Sequence, residues 1–168
     1  MIVNMATKRK TTFFDNFSFE FDDCFGCALY ELYKSGKMSV PTIYSGEYCW
    51  VHQDPENAVP GFFIISPYRH AVGIADLTPK EYAELSALIL RVRDGMRKVL
   101  NAQCVNIYQE EAETSHLHVW LLPIWNNRGN IEIAKNNVMD YLKQFGYDAH
   151  GKEVARCANL MKKYLLDV

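Results

Sequence analysis

Ser115-His116-Leu117-His118-Val119-Trp120-Leu121-Leu122-Pro123 decides how this chain is read. In an extended strand, side chains alternate between two faces. His116, His118 and Trp120 therefore share one face, while Leu117, Val119 and Leu121 point the other way, toward a core. Two imidazoles side by side on one face can act as paired metal ligands, or as a nucleophile with a helper. The strand they belong to is a core strand that also carries chemistry.

The flanking sequence supplies the rest of a single domain. The 168 residues carry a net charge of −2 and are 49% hydrophobic, a composition that builds one core. Without a basic excess the chain is not expected to be a general nucleic-acid binder. Lys8-Arg9-Lys10 is its one basic run and reads as a solvated tail. No apolar run reaches the ~20 residues that span a bilayer, and the N-terminus has no secretory pattern, so a cytoplasmic location is expected. Five cysteines, an odd number, argue for thiols or metal ligation rather than a disulfide framework.

Periodicity predicts the elements in order. Residues 1 to about 12 read as a disordered tail. Phe17 to Asp22 alternates aromatic and polar residues, as an edge strand or an arm laid on a partner would. Phe25 to Lys34 reads as a short helix stopped by Ser35-Gly36. Strands are expected at Thr42–Tyr44 and Glu47–Val51 around a Ser45-Gly46 turn, and at Gly61–Pro67. Thr78-Pro79-Lys80-Glu81 has the form of a capping box with proline at the first helical position. Leu85, Leu88, Ile89, Val92, Met96 and Val99 then recur at helical spacing. Strands follow at Val105–Tyr108 and Leu117–Trp125, then helices at about 131–145 and 151–166. The fold class is α+β. The organisation is an N-terminal arm over 1–23, a domain over 24–125 and a helical extension over 126–168 packed on that domain.

His-φ-His-φ-Trp-φ-φ-Pro, with φ apolar, resembles the His-φ-His-φ-His-φ-φ-Pro signature of the histidine triad nucleotide hydrolases and transferases. Three further segments resemble the same family in the same order. They are Cys24-Phe25-Gly26-Cys27, Gly61 to His70 (read against a strand ending Ile-Pro-Lys-x-His), and the long helix from Pro79 before the strand Val105 to Gln109. The resemblance covers roughly 24–125 and implies an antiparallel sheet of about five strands with a long helix packed on it.

It also implies roles. His118, the middle position, corresponds to the nucleophile that attacks the α-phosphorus of a dinucleoside polyphosphate or nucleoside phosphoramidate, through a nucleotidyl-histidine. A neutral imidazole suits this task near pH 7. Trp120 stands where the third histidine would be. It cannot titrate, but it keeps an indole N–H donor; packing and phosphate contact are both open to it. Cys24, Cys27, His70 and His116 correspond to a structural Cys2His2 zinc site. Asp54 corresponds to a ribose-binding acid, and also reads as a turn former before Pro55. Gln109, Thr114 and Ser115 fall near phosphate-contacting positions, although Glu110, Glu111 and Glu113 put three acids beside them. The family's habit implies a homodimer. A catalytically weak or inactive nucleotide-binding module, and a small zinc-stabilised structural protein, are the alternatives. Cys49, Cys104 and Cys157 read as small core residues, and His52 and His150 as surface residues.

Overall fold

In a computed structural model of the protein, describing residues 8–111, 116–125 and 151–167, the fold is organised around α2 (Pro79–Val99). Its capping box forms as the sequence predicts. The Thr78 side chain accepts from the Glu81 N–H, and the Glu81 carboxylate accepts from the Thr78 N–H. Leu85, Leu88, Val92 and Met96 make a buried stripe along one side. Each such side chain contributes about 1.5–3 kcal/mol when removed from water.

That stripe covers one face of a five-stranded antiparallel sheet. Its strands are β3 (Thr42–Ser45), β4 (Cys49–Gln53), β5 (Phe63–Pro67), β6 (Cys104–Gln109) and β7 (Val119–Ile124), in the spatial order β3-β4-β5-β7-β6. Cys49, Val51, Phe63, Ile65, Val119 and Leu121 supply the sheet's side of this core. A C-terminal helix, α3 (Lys152–Leu166), joins α2 on the same face through Cys157, Ala158, Met161 and Leu165. It matches the helix expected at 151–166. The helix expected at about 131–145 lies outside the described residues. The fold class is therefore α+β, as expected.

The opposite face is covered only in part. A hairpin of β1 (Arg9–Thr12) and β2 (Ser18–Phe21) and the helix α1 (Phe25–Lys34) pack over its β4 end. Phe13, Leu29, Val40 and Trp50 are buried there, among a cluster of further phenylalanines and tyrosines. Arg9–Thr12 thus departs from the expected disordered tail. Four polar residues carry no hydrophobic signal, but backbone pairing with Ser18–Phe21 gives their N–H and C=O groups partners. Gly36, with φ of +68°, ends α1 at the expected stop.

Candidate functional site

The register sets side chains in rows across the sheet. His52 of β4, Ile64 of β5, Trp120 of β7 and Tyr108 of β6 stand in adjacent positions. On this face, between the sheet and α1, lies a cleft of about 520 Å³ counted out to open solvent. Ile64, Ser66, His52 and Trp120 line it from the sheet, and His116 and His118 from the segment leading into β7. Phe25, Gly26 and Leu29 line it from α1, and Asp54, Pro55 and Glu56 from the loop after β4.

His118 stands immediately before β7. Its Nδ1–H donates to the His116 carbonyl at 3.0 Å, which leaves the lone pair on Nε2. Nε2 lies 3.9 Å from the Glu110 carboxylate, and the side chain is 12% exposed. The bond thus sets the tautomer of a ring that lines the cleft.

Trp120 packs edge-on against Phe62, with ring centroids 5.4 Å apart. It joins the cluster of Val59, Phe62, Ile64, Leu122 and Ile124. Its indole N–H is nevertheless buried without a partner among the described residues. An unmet buried donor costs about 1–3 kcal/mol, so packing explains the ring and not the N–H.

Cys24, Cys27, His70 and His116 converge, their ligand atoms all within 4.8 Å of one another. Cys24 is the N-cap of α1, and its sulfur accepts from the Cys27 N–H. Cys24 Sγ to His116 Nδ1 is 3.4 Å, Cys27 Sγ to His70 Nδ1 is 3.4 Å and Cys27 Sγ to His116 Nδ1 is 3.5 Å. A tetrahedral zinc ion, with Zn–S of about 2.3 Å and Zn–N of about 2.0 Å, sets its sulfur and nitrogen ligands about 3.5 Å apart. The His116 Nε2–H donates to the Pro67 carbonyl at 3.0 Å, which orients the ring and leaves Nδ1 as the ligand. Burial, then the Cys24 thiol and Glu31, pushes the Cys27 thiol up to about 11; a cation between the sulfurs reverses that trend. Burial moves His116 down, toward the neutral form a metal needs. The donor set and spacing fit zinc.

Gly26, between the two cysteines, permits this approach. A Cβ there would collide with the ring of His116. The motif therefore needs glycine at that position for a steric reason.

A sequence profile of the HIT domain, the histidine triad module, matches residues 37–126, more than half of the chain. The chain belongs to the HIT family. Solved HIT structures share its fold. A zinc-bound histidine triad family protein from Mycobacterium smegmatis superposes with a TM-score of 0.60 at 19% identity, covering 86% of this chain and 94% of that one. A hypothetical histidine triad nucleotide-binding protein from Sulfolobus tokodaii gives 0.64 at 14% identity, covering 84% and 93%. A HIT family protein from Bacillus anthracis gives 0.54 at 17%, covering 73% and 96%. No curated protein sequence matches the chain significantly. HIT proteins are usually nucleotide-binding hydrolases or transferases.

Within this HIT fold the remaining site residues divide. Asp54 is buried, and its Oδ1 accepts from the Glu56 N–H at 3.1 Å, the Asn57 N–H and the Asn57 amide. It is thus a turn former that also lines the cleft. Burial pushes its carboxyl up to about 7, against those bonds. Gln109 lies exposed at the end of β6, its amide directed to Glu110 and Glu111 and away from the cleft lining. Thr114 and Ser115 lie outside the described residues, as does His150.

His52 is the clearest correction. It is 2% exposed, not a surface residue. It stacks on Trp50 with centroids 4.3 Å apart, and its Nδ1–H donates to the Gln53 carbonyl at 2.8 Å. Burial pulls its pKa down to about 4. Cys49 and Cys157 are buried as expected, and Cys104 is partly so. No helix among the described residues is long and apolar enough to cross a membrane.

Proposed function

We propose that this HIT protein is a nucleotide hydrolase or nucleotidyl transferase acting through His118. The observation that carries the reading is the His118 Nδ1–H bond to the His116 carbonyl, which leaves Nε2 as the nucleophile in a cleft between α1 and the sheet. Nε2 attacks the α-phosphorus of a dinucleoside polyphosphate or a nucleoside phosphoramidate. A P–N bond forms, and the bond to the leaving phosphate or amine breaks with its electron pair. The leaving group takes up a proton where its basicity requires one. Water then cleaves the nucleotidyl-histidine, releasing the nucleoside monophosphate and a proton and restoring the imidazole.

Trp120 donates its indole N–H to a phosphoryl oxygen that becomes negative in the transition state. Asp54 accepts from the ribose, and Thr114 and Ser115 contact the phosphates; Gln109, turned toward Glu110 and Glu111, reaches them only if its amide swings back. Cys24, Cys27, His70 and His116 hold a structural zinc that ties α1 to the strand bearing His118. Zinc content after purification without chelators tests this; less than roughly a tenth of an equivalent contradicts a structural site.

The protein acts in the cytoplasm as a homodimer. Its five thiols suit a reducing compartment, and β6, at the end of the sheet, carries the exposed Ile107. A monomer by light scattering contradicts the dimer.

Incubation with diadenosine tetraphosphate and with an adenosine phosphoramidate tests the enzyme. Turnover by the wild type that falls at least about 10³-fold in His118→Ala supports it. Nucleotide binding without turnover of either substrate favours the second reading, a catalytically weak or inactive nucleotide-binding module. The observation favouring that reading is Trp120, which cannot move a proton.

A further inference from the structure

The cleft contains a polar group that the proposed chemistry does not use. His52 is 2% exposed, and its ring lines the cleft. Trp50 stacks on it, and the Nδ1–H bond to the Gln53 carbonyl fixes the proton on that nitrogen. Nε2 therefore presents a lone pair, and it has no protein partner among the described residues. A neutral imidazole so placed is a hydrogen-bond acceptor and not a donor. An acceptor that opens on a cleft lined also by Phe25, Leu29 and Ile64 is suited to a donor that the ligand brings.

Position identifies which part of the ligand that is. His52, Ile64 and Trp120 stand in one row on adjacent strands. Two strand spacings, about 9.5 Å, separate the first from the last. A nucleotide with its α-phosphate at His118 and Trp120 directs its base away from the reacting phosphorus and along that row. Asp54, two residues beyond His52, lines the same cleft. The flat, apolar surroundings suit a base, and the one acceptor suits an amino group on its edge.

We propose that His52 is a specificity-determining residue, whose Nε2 accepts a hydrogen bond from the exocyclic amino group of the bound nucleobase. The inference rests on the nucleotide reading of the cleft. It adds the chemical feature by which the base is chosen.

Calorimetric titration with nucleotide pairs that differ only in the amino group tests it. Adenosine 5′-monophosphate is compared with purine riboside 5′-monophosphate, and cytidine 5′-monophosphate with its 2-pyrimidinone counterpart. In at least one pair the wild type is expected to bind the amino form about tenfold more tightly, because the other form covers the acceptor without giving it a donor. His52→Phe, which keeps a flat ring beside Trp50, is expected to bind both members equally. His52→Gln, which restores an acceptor, regains part of the preference.

The nitrogen chemical shift of His52 Nε2 in the wild type gives a second readout that does not depend on a folded variant. It is expected to move with the amino form and not with its partner. Binding of either amino form, with no discrimination in the wild type or with discrimination unchanged in His52→Phe, overturns the role of His52 and leaves the nucleotide reading standing. Failure of the wild type to bind any of the four overturns both.

Discussion

The helix-covered face of the sheet and the cleft face use alternate residues of the same strands, yet they are closed by different means. On the first, α2 and α3 bury Leu85, Leu88, Val92, Met161 and Leu165 against Val51, Phe63, Ile65, Val119 and Leu121. Apolar surface meets apolar surface, and the stabilisation is non-directional. On the second, α1 is held by rings around Trp50 and meets the sheet at the Cys24, Cys27, His70 and His116 cluster. The space beside it keeps the Trp120 indole N–H without a partner among the described residues and presents the His52 Nε2 lone pair. The contrast teaches where stability and binding reside in this fold. Satisfied packing on one face supports unsatisfied polar atoms on the other.

Four perturbations break or sharpen this contrast. The largest is metal removal. Chelation, or Cys27→Ser, is expected to lower the melting temperature by on the order of 10 °C. It should raise amide exchange in α1 and the β1–β2 hairpin well before α2, as mass spectrometry of exchanged peptides would show. Uniform loss of protection on both faces would contradict the division. Next is Leu88→Ala on the helix-covered face, expected to cost about 2–5 kcal/mol in urea denaturation. Nucleotide affinity should stay within a factor of two or so of wild type.

Gly26→Ala should act more locally. Its methyl group collides with the His116 ring, so zinc affinity is expected to fall about 10–100-fold in a competition titration, as when a ligand loses its orientation. The smallest effect concerns acid. The Arg69 guanidinium and the Thr78 N–H hold the Glu81 carboxyl down at about 2. A carboxyl below its unfolded value of about 4.3 adds stability above that value and loses it as pH falls toward 2. The urea midpoint of the wild type should therefore drop more steeply between pH 5 and pH 2.5 than that of Glu81→Gln. Parallel slopes would remove Glu81 from the account.

Elements with strong local signals were legible in the sequence. The capping box and apolar stripe of α2 and the turn after Ser45 are each dictated by backbone chemistry over a few residues; the strand expected from Leu117 begins only at Val119, so His116 and His118 stand just before it. That Cys24, Cys27, His70 and His116 come together was legible through the family pattern, since spacing alone gives only the Cys-x-x-Cys pair. His52 was not. β4 is buried along its whole length, so the alternation that distinguishes a surface position from a core one is missing. A polar residue within such a strand reads as exposed until its neighbours are known. Glu110 and Gly26 were missed for a related reason. What matters about them is the approach of His118 and His116 across the fold. Arg9–Thr12 was misread because polar strands are held by pairing, which has no signature in their own side chains.

The central claim is that His118 becomes covalently attached to the nucleotide. Rapid quenching of the wild type with diadenosine tetraphosphate or an adenosine phosphoramidate, followed by peptide mass analysis, tests it most directly. The account predicts an acid-labile nucleotidyl adduct on the peptide containing His118, absent in His118→Ala. Turnover without any such adduct, or an adduct on another residue that survives in His118→Ala, would contradict it.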